Sequence, residues 1–269
     1  MDGEIVALER VAAQHWRGIE EEWLGGWLLR AAEGFTGRAN SALPLADPGM
    51  PLDDALDAVT RWYRARGLRP MIAIPLPLDA GAGVRADADA DADPAGSQLD
   101  QQLSERAWLT RPGPAFVMAA DLASVPAPRE IAPDLEFAVA EEPDDAWLGM
   151  YHYRGQERQP PVMRKVLMSA PLQLFASIRS AGGQDVLAIG RLSVAAGWAG
   201  ITAVEVNTGR RRGGLGTALT LGVCGEAAAR GIKRVFLQVE TGNMAAVQLY
   251  ERCGFRHSHR YHYRVVPDR

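Results

Sequence analysis

Apolar and polar positions recur with two periods along this chain, and the places where one period gives way to the other mark its elements. In the second half, an apolar run over 201–206 reads as a strand. After a turn rich in Gly and Arg, Leu215, Leu219, Val223 and Ala227 recur every four residues, which predicts a helix over 214–230 that stops at Arg230-Gly231. A strand over 235–239, a helix over 243–252 and a strand over 256–264 follow. The first half repeats this order: strand 40–45, helix 52–66 ending at Arg66-Gly67, strand 71–75, helix 99–107 and strand 115–121. Gln102-Leu103-Ser104-Glu105-Arg106-Ala107 stands where the second half has Gln248-Leu249-Tyr250-Glu251-Arg252-Cys253. The pattern predicts an α/β (α+β) chain of two tandem copies, 1–124 and 134–269, each a mixed, mostly antiparallel sheet flanked by helices.

Two stretches stand outside the pattern. Residues 79–98 are acidic, of low complexity and without an apolar face to bury, so a disordered insertion in the first copy is expected. Residues 125–133 hold Pro126, Pro128 and Pro133 among small and charged residues and read as the linker.

Composition narrows the functional classes. The 269 residues carry a formal net charge of −4, which argues against general nucleic-acid binding. No apolar run approaches membrane-spanning length and the start of the chain lacks the basic and apolar parts of a signal peptide, so a cytoplasmic protein with no membrane partner is expected. Cys224 and Cys253 are the two cysteines, too few for a disulfide framework and without metal-ligand spacing. No metal is expected; His257 and His259, two apart on the last strand, are the nearest approach to a ligand pair.

The turn between strand 201–206 and helix 214–230 carries the chemistry. Gly213, Gly214 and Gly216 leave the N–H groups of a helix start open to an anion, and Arg210, Arg211 and Arg212 add cationic forks. A phosphorylated ligand suits this turn. No Lys-Ser or Lys-Thr pair follows the glycines, which disfavours a P-loop, and the glycine spacing does not fit a dinucleotide fingerprint. The turn of the first copy differs: Asp47, Asp53 and Asp54 would repel a pyrophosphate, and Pro48 and Pro51 remove donors. One working ligand site, in the second copy, is the expectation.

Arg211-x-x-Gly214-x-Gly216 matches the Q/R-x-x-G-x-G/A pattern of the GCN5-related N-acetyltransferase (GNAT) superfamily, and Asn243-x-x-Ala246-x-x-Leu249-Tyr250-x-x-x-Gly254-Phe255 follows where that superfamily carries its Asn and Tyr. The chain therefore resembles the GNATs. It is similar to the tandem actinobacterial type, which includes mycothiol synthase and N-acetylglutamate synthase-like proteins. The resemblance implies acetyl-CoA as co-substrate and transfer of its acetyl group, by direct attack, to a small-molecule amine such as that of glutamate. A mycothiol-type cysteinyl amine and a non-catalytic acyl-CoA sensor are the alternatives, and the sequence leaves a homodimer open.

Carried onto this sequence, the resemblance implies that Val204, Glu205 and Val206 pair with the pantetheine amides. Arg211, Arg212, Gly213, Gly214, Leu215, Gly216 and Thr217 would hold the pyrophosphate, Asn243 and Ala246 the pantetheine arm, and Tyr250 would protonate the thiolate. Several GNATs carry a Glu or His base where this chain has Gly200, and Thr202 cannot replace it. Glu205 is the nearest carboxylate, although strict alternation with Thr202 and Val204 turns it to the opposite face unless a bulge intervenes. Glu240, which shares a strand face with Gln238, and a water chain are the other candidates. Arg260 or Arg264 could pair with an acceptor carboxylate, and Thr36, Arg38, Asn40 and Ser41 offer polar groups from the first copy.

Overall fold

A computed structural model describes residues 3–78, 98–152, 160–183 and 185–267. The first half runs α1 (Gly3–His15), β1 (Glu20–Leu24), β2 (Trp27–Ala31), β3 (Leu43–Pro44), α2 (Leu52–Arg64), β4 (Met71–Leu76), α3 (Gln98–Glu105) and β5 (Leu109–Asp121). The second runs β6 (Leu135–Ala140), α4 (Asp145–Met150), α5 (Val162–Leu167), β7 (Leu172–Ser180), β8 (Val186–Ala195), β9 (Trp198–Val206), α6 (Leu215–Ala229), β10 (Arg234–Glu240), α7 (Met244–Arg252) and β11 (Arg256–Val265). The chain is mixed α/β, with one large, mostly antiparallel sheet flanked by helices. The acidic stretch expected to be disordered lies outside the described residues, apart from Gln98, which opens α3.

The large sheet has eight strands in the order β4-β11-β5-β10-β9-β8-β7-β6. Its centre interleaves the two halves: β11 lies between β4 and β5, and β5 between β11 and β10. Among its described ladders only β9–β10 is parallel. A parallel bridge from Ala42 to Ile72 links β4 to the separate three-stranded sheet β1-β2-β3 in the same sense.

The periodicity explains which helix faces are buried. Leu219, Val223 and Ala227 of α6 pack on Ile201, Val235 and Leu237 of the sheet. Ala55, Leu56, Val59 and Tyr63 of α2 are buried, the last three against Ile72 and Ile74. Each large apolar side chain so buried contributes about 2 kcal/mol.

The expected strand over 40–45 is shorter than its apolar pattern suggests, because residues 38–40 form a 3-10 turn and only Leu43–Pro44 pair as a strand. Asn40 holds that turn: its Oδ1 accepts from Ala32 N (2.8 Å) and Gly34 N (2.9 Å), and its Nδ2 donates to Phe35 O and Thr36 O. Such a buried amide replaces the ladder bonds the backbone forgoes.

Candidate active site

β9 and β10 pair as far as Ile201↔Leu237, yet both strands continue, β9 to Val206 and β10 to Glu240. Past the last pair they separate and open a cleft of about 950 Å³ lined by the ends of both strands. The turn beyond β9 and the first turn of α6 form one wall, and α7 contributes another.

The turn is shaped by two left-handed residues, Arg212 (φ 64°) and Gly214 (φ 79°), the latter being the N-cap of α6. Gly214 suits that conformation because it has no Cβ. No side chain caps α6, so the first-turn N–H groups of Leu215, Gly216 and Thr217 remain available beside Arg210, Arg211 and Arg212, and all six residues line the cleft. A Cβ on Gly216 would stand 2.9 Å from Leu249 Cδ1, so glycine there lets α6 and α7 approach. Of the thirteen-residue set named from sequence, Gly213 alone does not line the cleft.

Asn243 caps α7, accepting from Ala246 N through Oδ1 at 3.2 Å, and both residues face the cleft. Tyr250, one turn on, is 7% exposed, packs edge-on against Phe255 and also lines the cleft. Burial pushes its phenol well above the usual range, so the group is a proton donor at any ordinary pH.

The bulge on which Glu205 depends is present. Ile189 pairs with Glu205 but Arg191 pairs with Thr202, so β9 holds one extra residue at this point, where Ala203 adopts φ 53°. The alternation resets, and Thr202, Val204 and Glu205 all line the cleft, as does Val206. Both carboxylate oxygens of Glu205 are held by one residue: Oε2 accepts the His152 backbone N–H at 2.8 Å, and Oε1 lies 3.0 Å from its Nδ1. His152 lines the cleft too. It lies between α4 and α5, outside any recognisable motif, and only its place in the fold brings it to Glu205.

At Gly200 there is no room for a base. A Cβ would stand 2.7 Å from His15 Nδ1 and 3.0 Å from Phe236 Cε1, because α1 closes over this part of β9. Gln238 and Glu240 both reach the cleft, with Gln238 accepting from Arg38 at 2.6 Å.

The last strand corrects two expectations, those for Arg264 and Arg260. Arg264 is held by Asp100, with contacts of 2.7 and 3.1 Å, and by Trp108 O, and does not line the cleft. Arg260 does not line it either. A register shift separates His257 from His259, and the two rings have different partners, Glu251 and buried Glu9. Of the first-half groups, Thr36 and Arg38 line the cleft, whereas Asn40 and Ser41 are buried in structural hydrogen bonds. Arg111, Tyr261 and Tyr263 line it as well, and nothing in the sequence singled Arg111 out.

The family described as "Probable histone acetyltransferase Rv0428c C-terminal" matches residues 2–264. The chain belongs to this family. It is 29% identical over 269 residues to "Probable histone acetyltransferase Rv0428c" of Mycobacterium tuberculosis, covering 98% of this chain and 74% of that protein. It is 28% identical over 265 residues to "Uncharacterized N-acetyltransferase YobR" of Bacillus subtilis, covering 97% of this chain and 98% of the relative. A solved GCN5-related N-acetyltransferase from Kribbella flavida has the same fold, with a TM-score of 0.70 at 17% identity over 100% of this chain and 98% of that one. The protein is an N-acyltransferase of the GNAT type. Among the described residues no helix is long and apolar enough to cross a membrane.

Proposed function

We propose that this protein transfers the acetyl group of acetyl-CoA to the amine of a small molecule, an amino acid such as glutamate, at a single site in its second half. The observation that carries the reading is the splayed β9–β10 cleft, which gathers uncapped α6 donors, three arginines, Tyr250 and the Glu205–His152 pair. A diphosphate fits the donors and arginines, and the strand ends past the last β9–β10 pair are suited to an extended pantetheine arm.

In the proposed reaction the neutral amine attacks the thioester carbonyl carbon, a C–N bond forms and the C–S bond breaks. Glu205 orients the imidazole through Nδ1, and the other ring nitrogen takes the proton that nitrogen loses. Tyr250 donates its proton to the departing thiolate sulfur and regains one through solvent. The chain's part is to position the partners and supply both proton transfers.

We further propose that residues 1–124 and 134–269 are the two copies, joined by 125–133, and that the first binds no cofactor. The α2 start, capped by Pro51 and carrying Asp53 and Asp54, supports this. The name of the Mycobacterium relative makes a histone the competing acceptor. Measuring CoA release with amino acids and with histone peptides tests the reading: acetylation of peptides alone would contradict it.

A further inference from the structure

The side of the cleft built by the first half carries Arg38 and Arg111, and among the described residues of that half no carboxylate lines it. Arg38 spends one hydrogen bond on the neutral Gln238 amide and stacks 4.8 Å from the Trp16 ring. Arg111 lies 5.4 Å from the Tyr263 ring, and its Nη1 donates to Met71 Sδ at 3.4 Å. Neither guanidinium has an ion-pair partner among the described residues, and both line the cleft. Of the two carboxylates that line the cleft, Glu205 is held by His152 and Glu240 stands at the end of β10; Glu9 pairs with His259, and Asp100 with His262 and Arg264.

The two arginines come from different elements and are brought together by one glycine. A Cβ on Gly37 would stand 2.6 Å from Arg111 Nη1 and 2.9 Å from Tyr263 Cζ, so the Arg111 fork rests on the residue before Arg38. Thr36, held left-handed at φ 62° with its hydroxyl accepting from Trp16 Nε1 at 2.9 Å, fixes the backbone that presents Arg38. Behind them Arg191 is fully buried, bonded to Leu167 O, His15 O and Thr202 Oγ1, and its Nη2 has no hydrogen-bond partner among the described residues. Burial, with the Arg38 charge beside it, pushes Arg191 down to about 9. Cations gathered without an anion raise a positive potential that a bound anion would relieve.

We propose that Arg38 and Arg111 form the subsite for the carboxylate of the acceptor, so that the first half of the chain selects amines that carry an acid group. This rests on the acetyltransferase reading above and names the group that half recognises. Planar arginine forks match a carboxylate, and the rings of Trp16 and Tyr263 hold each fork in place. Selection by charge also places the acceptor away from the α6 start, where Arg210, Arg211 and Arg212 serve the second anion.

The test is calorimetric titration of the CoA-saturated protein with the common amino acids and with their carboxylate-free amide and amino-alcohol counterparts. Wild type is compared with Arg38→Gln, Arg111→Gln and Gly37→Ala, the last keeping both arginines but displacing the Arg111 fork. Expected is at least about tenfold tighter binding of one or more acids than of their neutral counterparts, a preference that falls in all three variants while CoA affinity is unchanged. Absence of any carboxylate preference, or one that survives in both arginine variants, overturns the subsite. If the acids bind in this arginine-dependent way but no amine releases CoA from acetyl-CoA, the subsite stands and the transferase reading fails.

Discussion

His152 holds Glu205 at both carboxylate oxygens, through its backbone N–H at 2.8 Å and its Nδ1 at 3.0 Å. In the proposed reaction a carboxylate held in this way orients the imidazole, and the remaining ring nitrogen takes the proton. His152→Ala is expected to lower kcat/KM about a hundredfold. Glu205→Gln should lower it less. Acetyl-CoA binding, read by calorimetry, should be unchanged in both. Wild-type kcat/KM in His152→Ala would remove His152 from the reaction.

In the proposed reaction Tyr250 has the opposite task. Its phenol is driven upward by burial, so it stays protonated and can donate throughout the neutral and mildly alkaline range. Tyr250→Phe should reduce kcat by about ten- to a hundredfold with little change in KM for acetyl-CoA. The wild-type rate should show no alkaline decline assignable to this phenol below its ordinary value of 10.0, because the shift is upward. A Tyr250→Phe enzyme with wild-type kcat would leave the tyrosine as a packing residue against Phe255.

The turn before α6 separates binding from chemistry. Gly214→Val places a β-branched side chain at φ 79°, costing about 1–2 kcal/mol and distorting the donors at the helix start. Arg211→Ala removes a cation without touching the backbone. Both should weaken CoA at least about tenfold, the first with a lower Tm and the second without one. Unchanged CoA affinity in both would place the pyrophosphate elsewhere.

His15 makes stability depend on pH. It is buried between Ser193 Oγ (2.9 Å) and Ala195 O (3.2 Å). Burial foremost, opposed by the Ala195 hydrogen bond and aided by the charge of Arg191, lowers it from 6.5 to about 4. Between those values the unfolded chain binds the proton and the folded chain does not, so stability is lost as pH falls through this window, by up to about 1.4 kcal/mol per pH unit. The Tm advantage of wild type over His15→Gln should therefore shrink from pH 7 to pH 4. A constant difference would show that His15 does not titrate in this way.

The core elements were legible because burial writes itself into spacing. Leu215, Leu219 and Val223 define α6, and the apolar run ending at Val206 defines β9. The Gly- and Arg-rich turn before α6 was legible as a helix start because glycine suits the left-handed N-cap conformation that Gly214 takes. What stayed hidden depends on contacts between distant segments. Alternation along β9 says nothing of the extra residue at Ala203, so the orientation of Glu205 could be stated only as a condition. His152, 53 positions from Glu205, has no pattern around it. Arg264 looked like an acceptor ligand until α3 brought Asp100 against it. The interleaving of β5 and β11 likewise cannot be read from two halves that each predict a sheet of their own.

The central claim is that the β9–β10 cleft binds acetyl-CoA and passes its acetyl group to an amine. The most direct measurement is release of free CoA thiol from acetyl-CoA across a panel of amines, with the acetylated product identified by mass and Tyr250→Phe as the control. The account predicts amine-dependent CoA release with an N-acetylated product, reduced in the control while acetyl-CoA still binds. Tight binding of acetyl-CoA with no amine-dependent release, in wild type and control alike, would contradict it.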